Sequence, residues 1–371
     1  MCRKKPAAFK DALRLGAHNT LKDKTERLER NDNAMKKNIW AICFSAALIL
    51  FSTYAALDTF VLSESYNSNA VEMNTSMFAD ETESADAAEP EDKSTGKAQT
   101  ETDGTSSATK KSRSKRSGTQ NGTSTNAGTT VTSTETSYQD ENISITLTEY
   151  YQYNTKIYVA DVTLSSAQYL KTAFANDTYG KNVTAKTSSI ASAHDAILAI
   201  NGDYYGVQES GCVIRNGIVY RDTAKGVDVL CIYADGTMEV VSDRDYSAED
   251  LVNRGVWQAF SFGPGLIEDG SVTVGVNDEV GKAMASNPRT AIGMISENHF
   301  VFVVSDGRTS ESEGLSLYEL AEFMQSLGVD TAYNLDGGGS STMYFNGSVI
   351  NNPTTGGSIK ERGVSDIVYI G

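Results

Sequence analysis

The sequence predicts an α+β domain of mostly antiparallel sheet with a few flanking helices, preceded by one transmembrane helix and a disordered stalk. Three observations carry this prediction. ISITLTEY from Ile143 and KIYVADVTL from Lys156 alternate apolar and polar residues with a period of two, as half-buried strands do. Asn216-Gly217, Asp235-Gly236 and Asn346-Gly347 each separate two apolar runs, a hairpin signal. Far upstream, IWAICFSAALILFSTYAAL, from Ile39 to Leu57, runs 19 residues without a charge.

Charge divides the chain. Residues 1–62 carry 11 Lys+Arg against 6 Asp+Glu, residues 63–137 carry 7 against 12, and residues 138–371 carry 14 against 30, which gives +5, −5 and −16. Only the last and most acidic segment is rich in alternating apolar residues, so only it can bury a core, and its size suits one large domain or two small ones. A surface this acidic repels polyanions, which argues against nucleic acid as a partner.

In order, residues 1–37 form a basic cytoplasmic tail ending in Met35-Lys36-Lys37. Residues 38–60 hold the apolar run. At 1.5 Å per residue it spans roughly 28 Å, about one hydrocarbon core. Trp40 stands where an interfacial aromatic belongs, and the lysines before the span place the N-terminus inside. The expectation is an uncleaved signal-anchor crossing the membrane through residues 39–57. The alternative is a cleaved signal peptide, since Thr53-Tyr54-Ala55 resembles a small-x-small cleavage site. Either reading exports the C-terminal domain, and the anchor makes it a single-pass cell-membrane protein with that domain outside. Residues 61–140 are dominated by Ser, Thr, Ala, Asn, Gly and acids, without apolar periodicity, and are expected to be a disordered linker. An acidic patch from Asp80 to Asp92 and a basic knot, KKSRSKR at Lys110–Arg116, lie within it.

Order is expected over residues 141–371. After the two alternating segments come a short helix over Ser188–Asp195 and a strand, AILAI, leading to Asn201-Gly202. Ser247 with Asp250 suggests a short capped helix. The clearest helix runs from Ser316 to Leu327: Ser316 and Glu319 form a capping box, and Leu317, Leu320, Phe323, Met324 and Leu327 make the apolar stripe. Gly328 stops it. Of the four cysteines, only Cys212 and Cys231 could pair within this domain, and a bridge or two buried thiols both fit their apolar settings.

Elimination narrows the chemistry. The exported part has two histidines, His194 and His299, neither in a metal or triad pattern, and no phosphate-binding loop precedes a helix. Carboxylates, amides, hydroxyls and arginines remain. Four segments place such groups at or beside the end of an apolar strand: AINGDYYG (Ala199–Gly206), NPRTAIGM (Asn287–Met294), VFVVSDGR (to Arg308) and NLDGGGSSTMYF (Asn334–Phe345). Loops at strand ends can converge on one site. The glycines after Asp336 can turn successive N–H groups into an anion-binding nest; an ordinary Gly-rich turn is the other reading.

Taken together, NGDYY, NPRTAIG, the strand-DGR, the capped helix ending in LGV, and NLDGGGSST resemble the phosphodiester glycosidase family. FGPGLI (Phe262–Ile267) and ERGV (Glu361–Val364) fit as well. Members include the lysosomal enzyme that removes N-acetylglucosamine from mannose-6-phosphate diesters, and bacterial exopolysaccharide-associated proteins. The resemblance covers roughly residues 143–371. NGGFF is commoner in the family, so Asp203 and Tyr204 are departures.

The resemblance implies hydrolysis of a sugar-1-phosphodiester at the anomeric carbon. A phosphate leaving group is already a stable anion, so charge stabilisation outweighs general-acid help. On that reading Arg289 grips the phosphate through its planar fork, aided by the Gly337, Gly338 and Gly339 amides and the Ser340 and Ser341 hydroxyls. Asp336 is the first candidate for nucleophile or general base, Asp306 the second and Asp203 the third. Asn201 holds a sugar hydroxyl, and Thr290 and Arg308 buttress the carboxylates. The partner is a glycan or sugar-phosphodiester substrate, and no cofactor is called for. Two other classes stay open. One is a metal-dependent phosphodiesterase that uses a divalent cation held by Asp203, Asp306 and Asp336. The other is a non-catalytic module that binds phosphate-rich glycan.

Overall fold

The computed structural model describes residues 8–66, 122–126, 129–278 and 286–371. The acidic patch, the basic knot and most of the expected linker lie outside the described residues. The described chain divides into two units, Met1–Ser63 and Glu64–Gly371.

In the first unit a single helix runs Ala8–Phe60. Over Ile39–Asp58 it is long and apolar enough to cross a membrane, with a mean hydropathy of 1.9. Trp40, Leu50 and Phe51 stand exposed along this stretch.

The second unit is built of antiparallel sheets, as expected. The largest has ten strands, in the order Ser271–Val272, Gly265–Glu268, Thr331–Asn334, Thr290–Ser296, His299–Ser305, Thr155–Leu164, Ile143–Gln152, Ser137–Gln139, Thr129–Ser133 and Gly122–Asn126. Its pairing therefore reaches into the segment assigned to the linker. Four consecutive β-branched residues in TTVTS suit that stretch to the sheet despite its polar composition. A five-stranded sheet is ordered Ser348–Val349, Met343–Phe345, Leu198–Asn201, Asp366–Ile370, Leu170–Phe174. Another is ordered Ile218–Thr223, Gly211–Arg215, Val256–Phe260, Asp228–Tyr233, Met238–Ser242.

Period-two alternation splits the core between the faces of the large sheet. Phe300, Phe302 and Val304 face the five-stranded sheets, packing with Leu198, Ile200, Phe260 and Val368. Val301 and Val303 face the other way, against the helix Leu317–Ser326 through Leu317, Leu320, Phe323 and Met324. The Ser316–Glu319 capping box forms as read, and Gly328, at φ 81°, follows the C-cap Leu327. A second capping box, Ser247–Asp250, starts the helix Ala248–Asn253. The expected Ser188–Asp195 helix runs Thr187–Ala193.

All three hairpins form. Asn216-Gly217 and Asn346-Gly347 take positive φ at both central residues (52° and 75°; 44° and 91°), the twist-matched two-residue turn. At Asp235-Gly236 only Gly236 does so, at 91°, and the Asp235 carboxylate instead accepts from the Thr237 amide and hydroxyl. Cys212 and Cys231 are free, buried thiols. Burial pushes the Cys212 thiol up to about 12, which makes it inert.

Candidate active site

A cavity of about 190 Å³ opens where the strand Thr331–Asn334 runs out into the glycine turn. It is lined by Asp336, the three arginines Arg289, Arg308 and Arg362, Asn287, Asn334, Phe262, Leu335, Gly337 and Gly338. A larger groove of about 880 Å³, between Ser133–Glu135 and the Tyr344–Ile350 hairpin, contains no arginine and none of the candidate residues. The chemistry points to the smaller cavity.

Backbone hydrogen bonds from two sheets set Asp336 in place. The Leu335 amide donates to the Thr290 carbonyl at 2.8 Å, and the Asp336 amide donates to the Gly202 carbonyl at 3.3 Å. Asn201 ties the sheets together: its Nδ2 donates to the Asp336 carbonyl at 2.6 Å, while its Oδ1 accepts from Thr290 Oγ1 at 2.8 Å and from the Thr342 amide at 3.3 Å. Asn201, the residue expected to hold a sugar hydroxyl, is wholly buried, has its amide engaged by backbone and Thr290, and does not line the cavity. Thr290 buttresses Asn201 and not a carboxylate.

The Asp336 carboxylate is 8% exposed at the residue level. Its Oδ2 accepts from Arg362 Nη2 at 2.8 Å and from the Ser340 hydroxyl, and Arg362 Nε donates to Ser340 Oγ at 3.0 Å. Burial raises the Asp336 carboxyl above the usual aspartate value; Arg362, Ser340 and the Gly337 amide pull against that rise without cancelling it. The Arg362 guanidinium also lies 5.6 Å from the centre of the Tyr204 ring, one of the two departures from the family pattern. Arg362 was not among the residues read as functional. Its signal was the ERGV segment.

The glycine turn works differently from the expected nest. The Gly338 amide donates to the Pro288 carbonyl at 2.7 Å, and the Gly337 amide is spent on the Asp336 carboxylate. The Ser340 and Ser341 amides close a 3-10 turn onto Gly337 and Gly338. Glycine is needed for close approach: a Cβ on Gly337 would stand 2.8 Å from the Pro288 oxygen, and Gly338, at φ +63°, would put one 2.9 Å from Arg308 Nη2. Gly339 and Ser341 do not line the cavity. Ser340 reaches it through Asp336 and Arg362.

Two arginines complete the rim. Arg289 is 3% exposed, and its Nε donates to the Leu315 carbonyl at 2.8 Å. Arg308, at φ 62°, reaches Asn287 Oδ1 with Nε at 3.1 Å and with Nη2 at 2.8 Å. It orients on an amide and not on a carboxylate, another departure from the expected role.

The other two carboxylates stand elsewhere. Asp306 is 3% exposed and accepts from the Asn352 amide at 2.7 Å, Asn352 Nδ2 at 3.0 Å, Asn351 Nδ2 at 3.3 Å and Tyr158 Oη at 3.3 Å. Four donors make it a clamp on the Asn351–Asn352 loop. Asp203 is 1% exposed and pairs with Arg215 Nη2 at 2.8 Å; Arg215 Nε reaches Asp366 at 2.9 Å. Burial pushes Asp366 up to about 7, with Arg215 opposing and Asp203 adding to the rise. An arginine in the apolar strand Gly211–Arg215 could have flagged this ion triad. Neither Asp203 nor Asp306 lines the cavity, and no group of three His, Cys, Asp or Glu side chains converges among the described residues. The ligand set imagined for a bound divalent cation is therefore not assembled.

Residues 194–371 match the family model described as phosphodiester glycosidase. The chain is 32% identical over 174 residues to an uncharacterised SPbeta prophage-derived protein of Bacillus subtilis, covering 46% of this chain and 26% of that one. It is 29% identical over 196 residues to human N-acetylglucosamine-1-phosphodiester alpha-N-acetylglucosaminidase, covering 46% of this chain and 36% of that one. The chain thus spans about a quarter to a third of the length of these curated relatives. In fold it is similar to the zebrafish N-acetylglucosamine-1-phosphodiester alpha-N-acetylglucosaminidase catalytic domain, solved auto-inhibited by pro-peptide: TM-score 0.50 at 20% identity, covering 62% of this chain and 82% of that one. Over residues 194–371, the stretch that carries Arg289, Asp336 and Arg362, this chain belongs to the phosphodiester glycosidase family.

Proposed function

We propose that the domain hydrolyses a sugar-1-phosphodiester at the anomeric carbon, releasing free sugar and a phosphomonoester. The observation that carries this reading is one buried carboxylate, Asp336, in a cavity that three arginines, Arg289, Arg308 and Arg362, also line. Arg289, Arg308 and Arg362 offer planar donor forks to the phosphate and hold its charge as the C1–O bond lengthens. The phosphate departs as an anion and needs no protonation, so a second carboxylate acting as general acid is dispensable. Asp336 attacks C1 or takes the proton of the water that does; in both cases the water oxygen ends on C1. Arg362 holds Asp336 ionised against the effect of burial.

The domain works outside the cell, on glycan phosphodiesters of the surface or exopolysaccharide, and is held there by the apolar span. Lys36-Lys37 before the span and the acidic domain after it support that orientation. Protease added to intact cells is expected to remove the domain; full protection would reverse the topology.

The test of the activity is to incubate the chain with the methyl diesters of hexose 1-phosphates and identify the products. Free hexose with methyl phosphate supports the reading. Hexose 1-phosphate with methanol would mean cleavage at phosphorus and would overturn it.

A further inference from the structure

Asn334 closes the strand Thr331–Asn334 two residues before Asp336, and both residues line the cavity. The Asn334 side chain is among the most buried polar groups of the domain, at 1% exposed. Its Nδ2 donates to the Gly263 carbonyl at 2.8 Å. A carbonyl only accepts, so this contact decides which end of the amide is nitrogen. The Asn334 backbone amide donates to the Pro264 carbonyl at 3.1 Å, which fixes the side chain further against the same loop. Its Oδ1 is buried and accepts from no described residue. A buried acceptor left without a donor is unfavourable, so one that persists beside a cavity calls for a donor from whatever enters.

The chemistry of the entering group follows. Phosphate oxygens suit the arginines but cannot donate to Oδ1. A sugar hydroxyl can. Resting on the hydrolase reading, we infer that Asn334 Oδ1 is the acceptor for one ring hydroxyl of the sugar whose anomeric carbon meets Asp336, and that it sets which sugar is accepted. Asn334 positions and selects; it takes no part in bond making. A site built to receive a hydroxyl discriminates strongly against an analogue that lacks it, because the buried acceptor is then stranded.

The experiment is a coupling measurement on the 371-residue chain. The hexose-1-phosphate methyl diester turned over fastest is compared with its monodeoxy analogues, for the wild type and for Asn334→Ala and Asn334→Ser, with thermal melts for all three. In the wild type one monodeoxy analogue is expected to lose about ten- to a hundredfold in kcat/KM relative to its parent. In both variants that ratio should shrink to within about twofold, while the ratios for the other analogues stay unchanged. A penalty that persists undiminished in the variants overturns the inference. So does a wild type that penalises no monodeoxy analogue, a result that does not depend on the variants folding. Absence of turnover of any diester by the wild type refutes the hydrolase reading, and this inference with it; turnover without the coupling refutes the inference alone.

Discussion

Replacing Asp336 with Asn removes one charge and almost no volume, and the geometry allows its two consequences to be separated. The carboxylate accepts from Arg362 Nη2, the Ser340 hydroxyl and the Gly337 amide. An amide can keep its oxygen toward Arg362 and Ser340, leaving one donor facing a donor, a mismatch worth about 1–3 kcal/mol. Against this, a buried charge that raised its own titration point is gone. The two terms oppose, so stability should change by no more than about 2 kcal/mol, a melting shift of roughly 8 °C at most for a domain of this size. Catalysis has no such compensation. Losing the group that attacks C1, or activates water, should lower kcat by at least about a thousandfold, on the order of 4 kcal/mol of transition-state stabilisation. Asp306→Asn provides the contrast: four donors meet that carboxylate away from the cavity, so it should lose melting temperature with a much smaller loss of kcat. Steady-state kinetics with calorimetric melts on both variants checks the pair. If Asp336→Asn keeps more than about a tenth of the wild-type kcat, a deficit under about 1.4 kcal/mol, Asp336 is not the reacting carboxylate.

The acid limb of the kcat/KM profile should lie above the ordinary aspartate range, because burial raises Asp336 and its ionised form is the active one. The folded state binds that proton more tightly than the unfolded chain, so the Asp336 contribution destabilises at neutral pH and is relieved as pH falls. A limb at or below the ordinary value would contradict this. Arg362→Lys keeps the charge but cannot reach Ser340 and Asp336 with a planar fork; kcat/KM should fall about ten- to a thousandfold. Its stability should change by less than about 1 kcal/mol, since that side chain is 39% exposed. Near-normal kinetics would remove Arg362 from the site. Arg215→Met strands Asp203 and Asp366 in the core and should cost about 3–5 kcal/mol, read by denaturant melts, with Asp203→Asn and Asp366→Asn together restoring part of the loss.

Much of the fold was legible in the sequence because the signals were local. Capping boxes at Ser247 and Ser316, Asn-Gly turns and period-two strands all depend on neighbours in the chain. TTVTS was missed because its composition is polar, although it pairs with the next strand in the chain, Ser137–Gln139. In the site, strand-end position singled out Asp336, Arg289, Gly337 and Gly338, which line one cavity. It ranked Asp336 ahead of Asp306 and Asp203 without access to the partners that set them apart, Tyr158 at 148 residues from Asp306 and Arg215 at 12 residues from Asp203. Arg362 lies 26 residues from the carboxylate it holds, and nothing local marks that pairing. Asn201 reads as a sugar-binding group and Thr290 as a carboxylate buttress because both are polar at strand ends. Their partners turned out to be backbone and each other.

The central claim is that water ends on the sugar. Hydrolysis of a hexose-1-phosphate methyl diester in ¹⁸O-labelled water, followed by mass spectrometry of both products, locates the new bond. Cleavage at the anomeric carbon predicts the label at C1 of the released hexose and none in methyl phosphate. Label in the phosphate, with hexose carrying only its original oxygen, would contradict the account.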